Sequence, residues 1–285
     1  MGCFMEKDNQ AQQRQLWEIQ HLYRIQLLFA EKPPVLSAQA VHQALQQAAG
    51  SPLRLVEGDT GLLCFSLPEV TVPDGEGGRA AVRLTLQQAH PFDPASLGPQ
   101  VVGQQWTLPE AEELLAQCRY EVSFFDMMAG RLDRLRRGNL LMDGLEALLP
   151  LCPGCIAVYM RPAEKLLSAQ QATLPTKRPE DRFVWRGVNV RAFRTGEGRI
   201  LMDSLGLWTV GQPEVELCFP EERAPGQMIP YAYDLARHLY LYGTPQELAK
   251  LDGGTVDNPE GDGWWHCRLA ESTAGPARQV LRVEP

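Results

Sequence analysis

A chain of 285 residues, 44% hydrophobic and 22% charged, can bury one large core or two modest ones. Its formal charge of −8 argues against a general nucleic-acid binder, which needs clustered Lys and Arg, and against adsorption to anionic membranes. No run approaches the ~18 consecutive apolar residues that read as a membrane span.

The opening "MGCFMEKDNQAQQRQ" has neither the basic start nor the apolar stretch of a secretory leader, and Glu6 stands where a myristoylation motif takes Ser or Thr. The seven cysteines are scattered, several inside apolar runs such as "LLCFSL" and "VELCF", where a free thiol behaves as a small hydrophobe. The expected compartment is the reducing cytosol, a cytoplasmic location.

Residues 10–30 place Leu16, Ile19, Tyr23, Leu27 and Ala30 at helical spacing and predict a helix, with residues 1–34 as an N-terminal helical arm. Its apolar residues spread over more than one face, which makes it a candidate surface for a homo-oligomer. "EKPP" ends it, and Ser37 caps a second helix over 36–48. Strands are predicted near 53–57, 61–67 and 79–88, the last with Ala80, Val82, Leu84 and Leu86 alternating against Arg83, Thr85 and Gln87. Residues 89–108 lack periodicity, yet Phe92, Val101, Val102 and Trp106 imply a packed segment of the kind that often binds. A helix at 109–118, a strand at 119–128 and an amphipathic helix at 131–149 follow, the latter with Leu132, Leu135, Met142, Leu145 and Leu149 on one stripe.

Beyond it the pattern predicts a strand at 155–160, a short helix at 167–173, strands at 183–194, 199–208 and 214–219, a helix at 228–242, and strands near 264–270 and 278–283. "LSAQAV" (36–41) and "LSAQQA" (167–172) each precede three strands and a helix, which raises an internal duplication as a reading. The expected fold is α+β: one domain, 35–285, of two similar lobes (about 35–154 and 155–285) with mainly antiparallel sheet and packed helices.

The most loaded-looking spelling is "LCPGC", where Cys152 and Cys155 bracket Pro-Gly. A redox dithiol sits where a strand feeds a helix, whose N-terminus lowers a thiolate pKa. Here a helix ends, a turn follows and a strand begins, so the favourable helix end is missing. A zinc site would need His266 and Cys267, which point to opposite sides of a strand. No cofactor and no metal are therefore expected. Walker, G-x-S-x-G, H-E-x-x-H and dinucleotide signatures are absent from the sequence, and its five histidines are dispersed.

Two carboxylates demand explanation. Asp203 shares a row with Leu201, Leu205 and Leu207, and Asp126 one with Val122, Phe124 and Met128; a charge in such a row needs a partner. Arg191, across a short hairpin, is the natural partner of Asp203. One reading is a structural ion pair. The other is a pocket lined by Asn189, Arg191, Asp203 and Asp126.

The strings "GQQWTLPEAEELLAQCRYEVSFFDMMAG", "CIAVYM" and "RFVWRGVNVRAFRTGEGRILMDSLGLW" together resemble a bacterial domain-of-unknown-function family, marked by a Q-x-W segment and a V-N-V-R-x-F hairpin leading into D-x-L-G-L. The resemblance spans roughly residues 50–283 and marks Trp106, Asn189, Arg191, Phe193, Asp203, Gly206 and Leu207. The aromatic-His pair expected near the next strand reads Glu216-Leu217-Cys218-Phe219 here, so that feature does not carry over. The family brings no activity with it.

Two functions follow as expectations. The first is a non-catalytic binding or protein-interaction module, adaptor-like or immunity-like, with a protein partner and with Trp106, Asp126, Asn189, Arg191 and Asp203 as candidate ligand-binding residues. The second is an enzyme acting on an anionic small molecule through Asp203, Arg191 and Asp126.

Overall fold

The computed structural model describes residues 22–285 apart from 60, 75, 76, 197, 260 and 262. The chain folds as a single α+β domain around two sheets that share one continuous core.

The first sheet is built from β1 (Arg24–Phe29), β2 (Arg54–Gly58), β3 (Leu62–Pro73), β4 (Arg79–Pro91), β5 (Tyr120–Met127), β6 (Cys155–Met160) and β7 (Lys165–Ser168). Its order is β2-β3-β4-β5-β1-β6-β7, antiparallel throughout. Helices α1 (Ala38–Ala49), capped by the Ser37 side chain, and α4 (Arg134–Leu148), capped by Asp133, cover one face. The segment 92–118, with short helices α2 (Gly98–Val102) and α3 (Ala111–Gln117), packs Phe92, Leu97, Leu108 and Leu115 on the other face, against Leu28, Ala157, Tyr159 and Leu166.

After the short helices α5 (Ala169–Thr173) and α6 (Arg182–Gly187) come β8 (Asn189–Arg194), β9 (Arg199–Leu205) and β10 (Glu214–Pro220). The long helix α7 (Pro225–Tyr242), α8 (Pro245–Leu251), β11 (Thr255–Asp257), β12 (Trp264–Glu271) and β13 (Gln279–Glu284) complete the chain. The second sheet runs β11-β12-β13-β10-β9-β8, antiparallel except for the parallel β10–β13 pair. Helix α7 packs on β8–β10, and α4 touches α1, α6 and α7, so helices fill the space between the sheets. At Gly138 the close approach requires the missing side chain: a Cβ there would overlap the Tyr240 hydroxyl.

Three expectations change. The helical arm of 1–34 is not one element, because Arg24–Phe29 is an interior strand of the first sheet, paired to β5 and β6. Residues 10–21 of that predicted helix, and the homo-oligomer surface placed on it, lie outside the described residues. The strand predicted over 183–194 begins only at Asn189, since 182–187 is helical. Helical spacing places Arg182 and Arg186 together over α4, where Arg182 bonds Asp143 and Glu146 (2.9 and 2.8 Å) and Arg186 bonds Glu146 at 2.5 Å. In a strand the two would share a face but stand roughly 13 Å apart, too far to meet at one carboxylate. Finally, β6 and β7 belong to the first sheet, so the sheets part after residue 168 rather than at 154/155, and their strand orders do not repeat one another.

Candidate functional site

The outer face of the second sheet carries a row of charges in register. Arg191 lies opposite Asp203, Asp203 opposite Glu216, and Glu216 opposite Arg282. Arg191 grips Asp203 with Nε–Oδ1 and Nη2–Oδ2 bonds of 2.9 and 2.6 Å. Arg278 donates a third, 2.5 Å from Nη2 to Oδ2, and a fourth to the Ser204 carbonyl. Glu216 receives the Thr273 amide and hydroxyl and Arg282 Nε. The connection 272–278 folds over this row: the Gly275 carbonyl accepts from Arg191, and those of Ala274 and Pro276 accept from Arg278. Asp203 is 0% exposed. The partner expected for it, Arg191, is the one found.

Asn189 and Arg191 also reach the first sheet. Asn189 donates to the Glu164 carbonyl (3.0 Å), and Arg191 meets the Glu164 carboxylate at 3.3 Å. Arg191 stacks over the Phe193 ring, 5.3 Å from its centroid. Gly206 has φ 140°, and a Cβ on it would overlap the Gly187 carbonyl, so only glycine lets β9 turn away there. Leu207 follows it into the core.

Trp106 belongs to the same assembly through its neighbours. Gln104 accepts from the Ala192 amide (2.8 Å) and donates to its carbonyl (2.9 Å), extending the edge of β8 by one amide. Gln105 accepts from the Leu166 amide and donates to the Glu164 and Val101 carbonyls, each at 2.8 Å. Two consecutive glutamines therefore staple segment 98–108 to both sheets. The Trp106 indole N–H rests on Gln104 Oε1 at 3.1 Å, and the ring stands 45% exposed.

Asp126 stands apart. It is fully buried in β5 and paired to Arg137 of α4 through 2.7 and 3.0 Å bonds, and it also accepts the Tyr23 amide at 2.6 Å. Arg137 continues to the Thr209 carbonyl (2.5 Å), and the Thr209 hydroxyl to that of Gly206. Glu214, sealed beneath this turn, accepts from Ser204 and from the Gly206 and Trp208 amides; burial raises its pKa against the pull of Arg278. Of the five residues singled out from the sequence, four thus lie in one clasp between the sheets, while Asp126 anchors a separate one.

Lys165 is a further tie that no sequence signal marked. Its ammonium, 1% exposed, donates to the carbonyls of Trp185 and Val188 and to the Tyr233 hydroxyl, between the Trp185 and Tyr233 rings. Burial lowers its pKa to about 7.

The "LCPGC" stretch is a turn. The Cys155 amide bonds the Cys152 carbonyl, Gly154 takes φ 87°, and burial pushes both thiols up to about 12, far from thiolate formation at neutral pH. His266 is exposed and Cys267 buried on adjacent positions of β12. Among the described residues, no three His, Cys, Asp or Glu side chains converge as metal ligands, and no helix is long and apolar enough to cross a membrane.

Two kinds of open space adjoin the clasp. Shallow apolar grooves of about 510 and 350 Å³ flank α2; Pro99, Val102, Trp106 and Pro109 line the larger, and Gly98, Val102 and Leu115 the smaller. A more enclosed cavity of about 420 Å³ lies between the β1–β6 end of the first sheet and the turn after β9. Comparison with protein-family models, curated proteins and solved structures finds no match to this chain.

Proposed function

We propose that this protein is a non-catalytic protein-interaction module of the bacterial cytosol, adaptor-like in kind, whose docking face is the α2–α3 surface around Trp106. The observation that carries this reading is a large aromatic ring presented to solvent yet held rigidly. Its N–H is bonded to Gln104, which is itself bonded on both sides of Ala192. A preordered Trp over an apolar groove loses little entropy on binding and is the residue type most enriched where binding energy concentrates. Glu110, Glu112 and Glu113 are exposed on the rim. The fitting partner is an apolar segment with Lys or Arg beside it. The burial of Asp126 and Asp203 beneath guanidinium partners supports a structural role for these carboxylates over acid–base work.

A photo-crosslinking residue at position 112 of the full chain, expressed in cells, tests this. The expected result is one stoichiometric adduct whose contact peptide is apolar and basic, abolished by Trp106→Ala and retained in Trp264→Ala, a change at another exposed Trp. No adduct, or one indifferent to Trp106→Ala, overturns the reading.

A further inference from the structure

The 420 Å³ cavity is walled by Leu97, Val101, Leu205 and Pro276 and carries an unusual set of polar groups. Arg24 and Arg161 both line it, and among the described residues neither has a carboxylate within ion-pair distance. The two guanidiniums are close enough to repel. Burial first, and then Arg161, lower the Arg24 pKa, with Glu121 opposing. Arg24 is braced over the Phe125 ring at 5.5 Å. Tyr159 is buried against the same space, and its hydroxyl makes no hydrogen bond among the described residues. Burial raises its pKa, so it remains a donor at neutral pH. Trp208 lines the cavity, is 8% exposed, and has an Nε1–H with no acceptor.

Four donor groups therefore surround one cavity with no protein acceptor for any of them. Tyr159 and Trp208 are buried, Arg24 is half-buried and Arg161 is exposed, and buried polar groups in folded proteins are nearly always paired, so the two aromatic donors beside two uncompensated cations form a set that an acceptor from outside can complete. The charge is out of character too, since two unpaired cations sit together in a chain of net charge −8. The one acid on the wall, Glu164, is already held by Arg191.

We propose that this cavity binds a small organic anion, its acid oxygens received by Arg24, Arg161 and Tyr159 and its apolar body lying against Leu97, Leu205 and the Trp208 ring. The guanidinium fork suits carboxylate and phosphate alike, and the volume falls within the usual range for small-molecule sites, about 300–1,000 Å³. This site is separate from the Trp106 face, so either can fail without the other.

The test uses the full chain labelled with nitrogen-15, with the Trp208 indole N–H signal assigned by its loss in Trp208→Phe. Phenyl phosphate, benzoate and benzylamine are each titrated to about 10 mM, beyond the weakest affinity that counts as a site, about 1 mM. The expected result is a saturable shift of the Trp208 signal with at least one of the anions and none with the amine. Whichever anion binds more tightly identifies the acid. Arg24→Gln and Arg161→Gln should each weaken binding at least about tenfold; removing an unpaired guanidinium leaves folding intact, and an unchanged spectrum elsewhere verifies that. No shift with either anion, equal binding of the amine, or unchanged affinity in both Arg variants overturns the proposal.

Discussion

Asp203→Asn is the sharpest perturbation of the clasp. The wild-type carboxylate receives two bonds from Arg191 and one from Arg278, all charge-assisted and sealed from water. Each such bond contributes about 1.5–3 kcal/mol. The amide keeps one acceptor oxygen but presents its NH2 to a guanidinium, so one or two bonds are lost and a donor faces a donor. Two buried cations are then left with Glu164, 3.3 Å from Arg191, and Glu214 as the acids that act on them. Breaking a buried pair from one side costs about 3–5 kcal/mol. Typical domains have about 5–15 kcal/mol in total. Urea unfolding followed by tryptophan fluorescence should therefore show a midpoint well below wild type with an unchanged slope. A loss under about 1 kcal/mol would refute the reasoning, because Asp203 would then be neither sealed nor needed by its two arginines.

Lys165 gives a pH dependence of definite sign. Its pKa falls from 10.5 to about 7 on folding, so between those values the unfolded chain binds more protons, and stability rises with pH. From pH 7 to 9 the gain from this group is about 2 kcal/mol; Lys165→Met should flatten that rise in denaturation midpoints, and a slope identical to wild type would count against it. Gln105→Ala removes the two bonds by which this side chain ties segment 98–108 to the β6–β7 end of the first sheet, along with its local bond to the Val101 carbonyl, at a cost of about 1–3 kcal/mol. Hydrogen exchange should show the Leu166 amide losing protection, and retained protection would mean that the staple is dispensable.

The sequence was most legible where burial was one-sided and neighbours were local. The alternation in 79–88 and the stripe of 131–149 marked β4 and α4 correctly, because each element wets one face. β1 was misread because it is an interior strand with both faces covered: Ile25, Leu27 and Phe29 on one, Gln26 and Leu28 on the other. Strand alternation vanishes in such a segment, and helical spacing can fit it by coincidence. The Asp203–Arg191 pair was readable because a hairpin joins the two residues, whereas Arg278 lies 75 positions away and Glu164 sits in the turn between β6 and β7 of the first sheet. One signal was available: Glu216 and Arg282 stand at strand positions level with Asp203, and a charge row shared by neighbouring strands is readable once strand order is known.

Glu164 shows how the clasp and the cavity depend on each other. Its backbone, in the left-handed region at φ 50°, offers a carbonyl that both Gln105 and Asn189 use. Its carboxylate binds Arg191 and forms part of the cavity wall. A bound anion near Arg24 and Arg161 would repel that carboxylate toward Arg191, tightening the link from cavity to clasp, and the clasp holds Gln104 and Trp106. Binding in the cavity should therefore stiffen the Trp106 face, and the reciprocal effect follows from linkage. Glu164→Gln uncouples the two, because the amide keeps a wall and a hydrogen bond but loses the charge. In that variant phenyl phosphate or benzoate should still shift the Trp208 signal, while the Trp106 indole signal, which should move with it in the wild type, stays still. If both signals still move together, Glu164 is not the link.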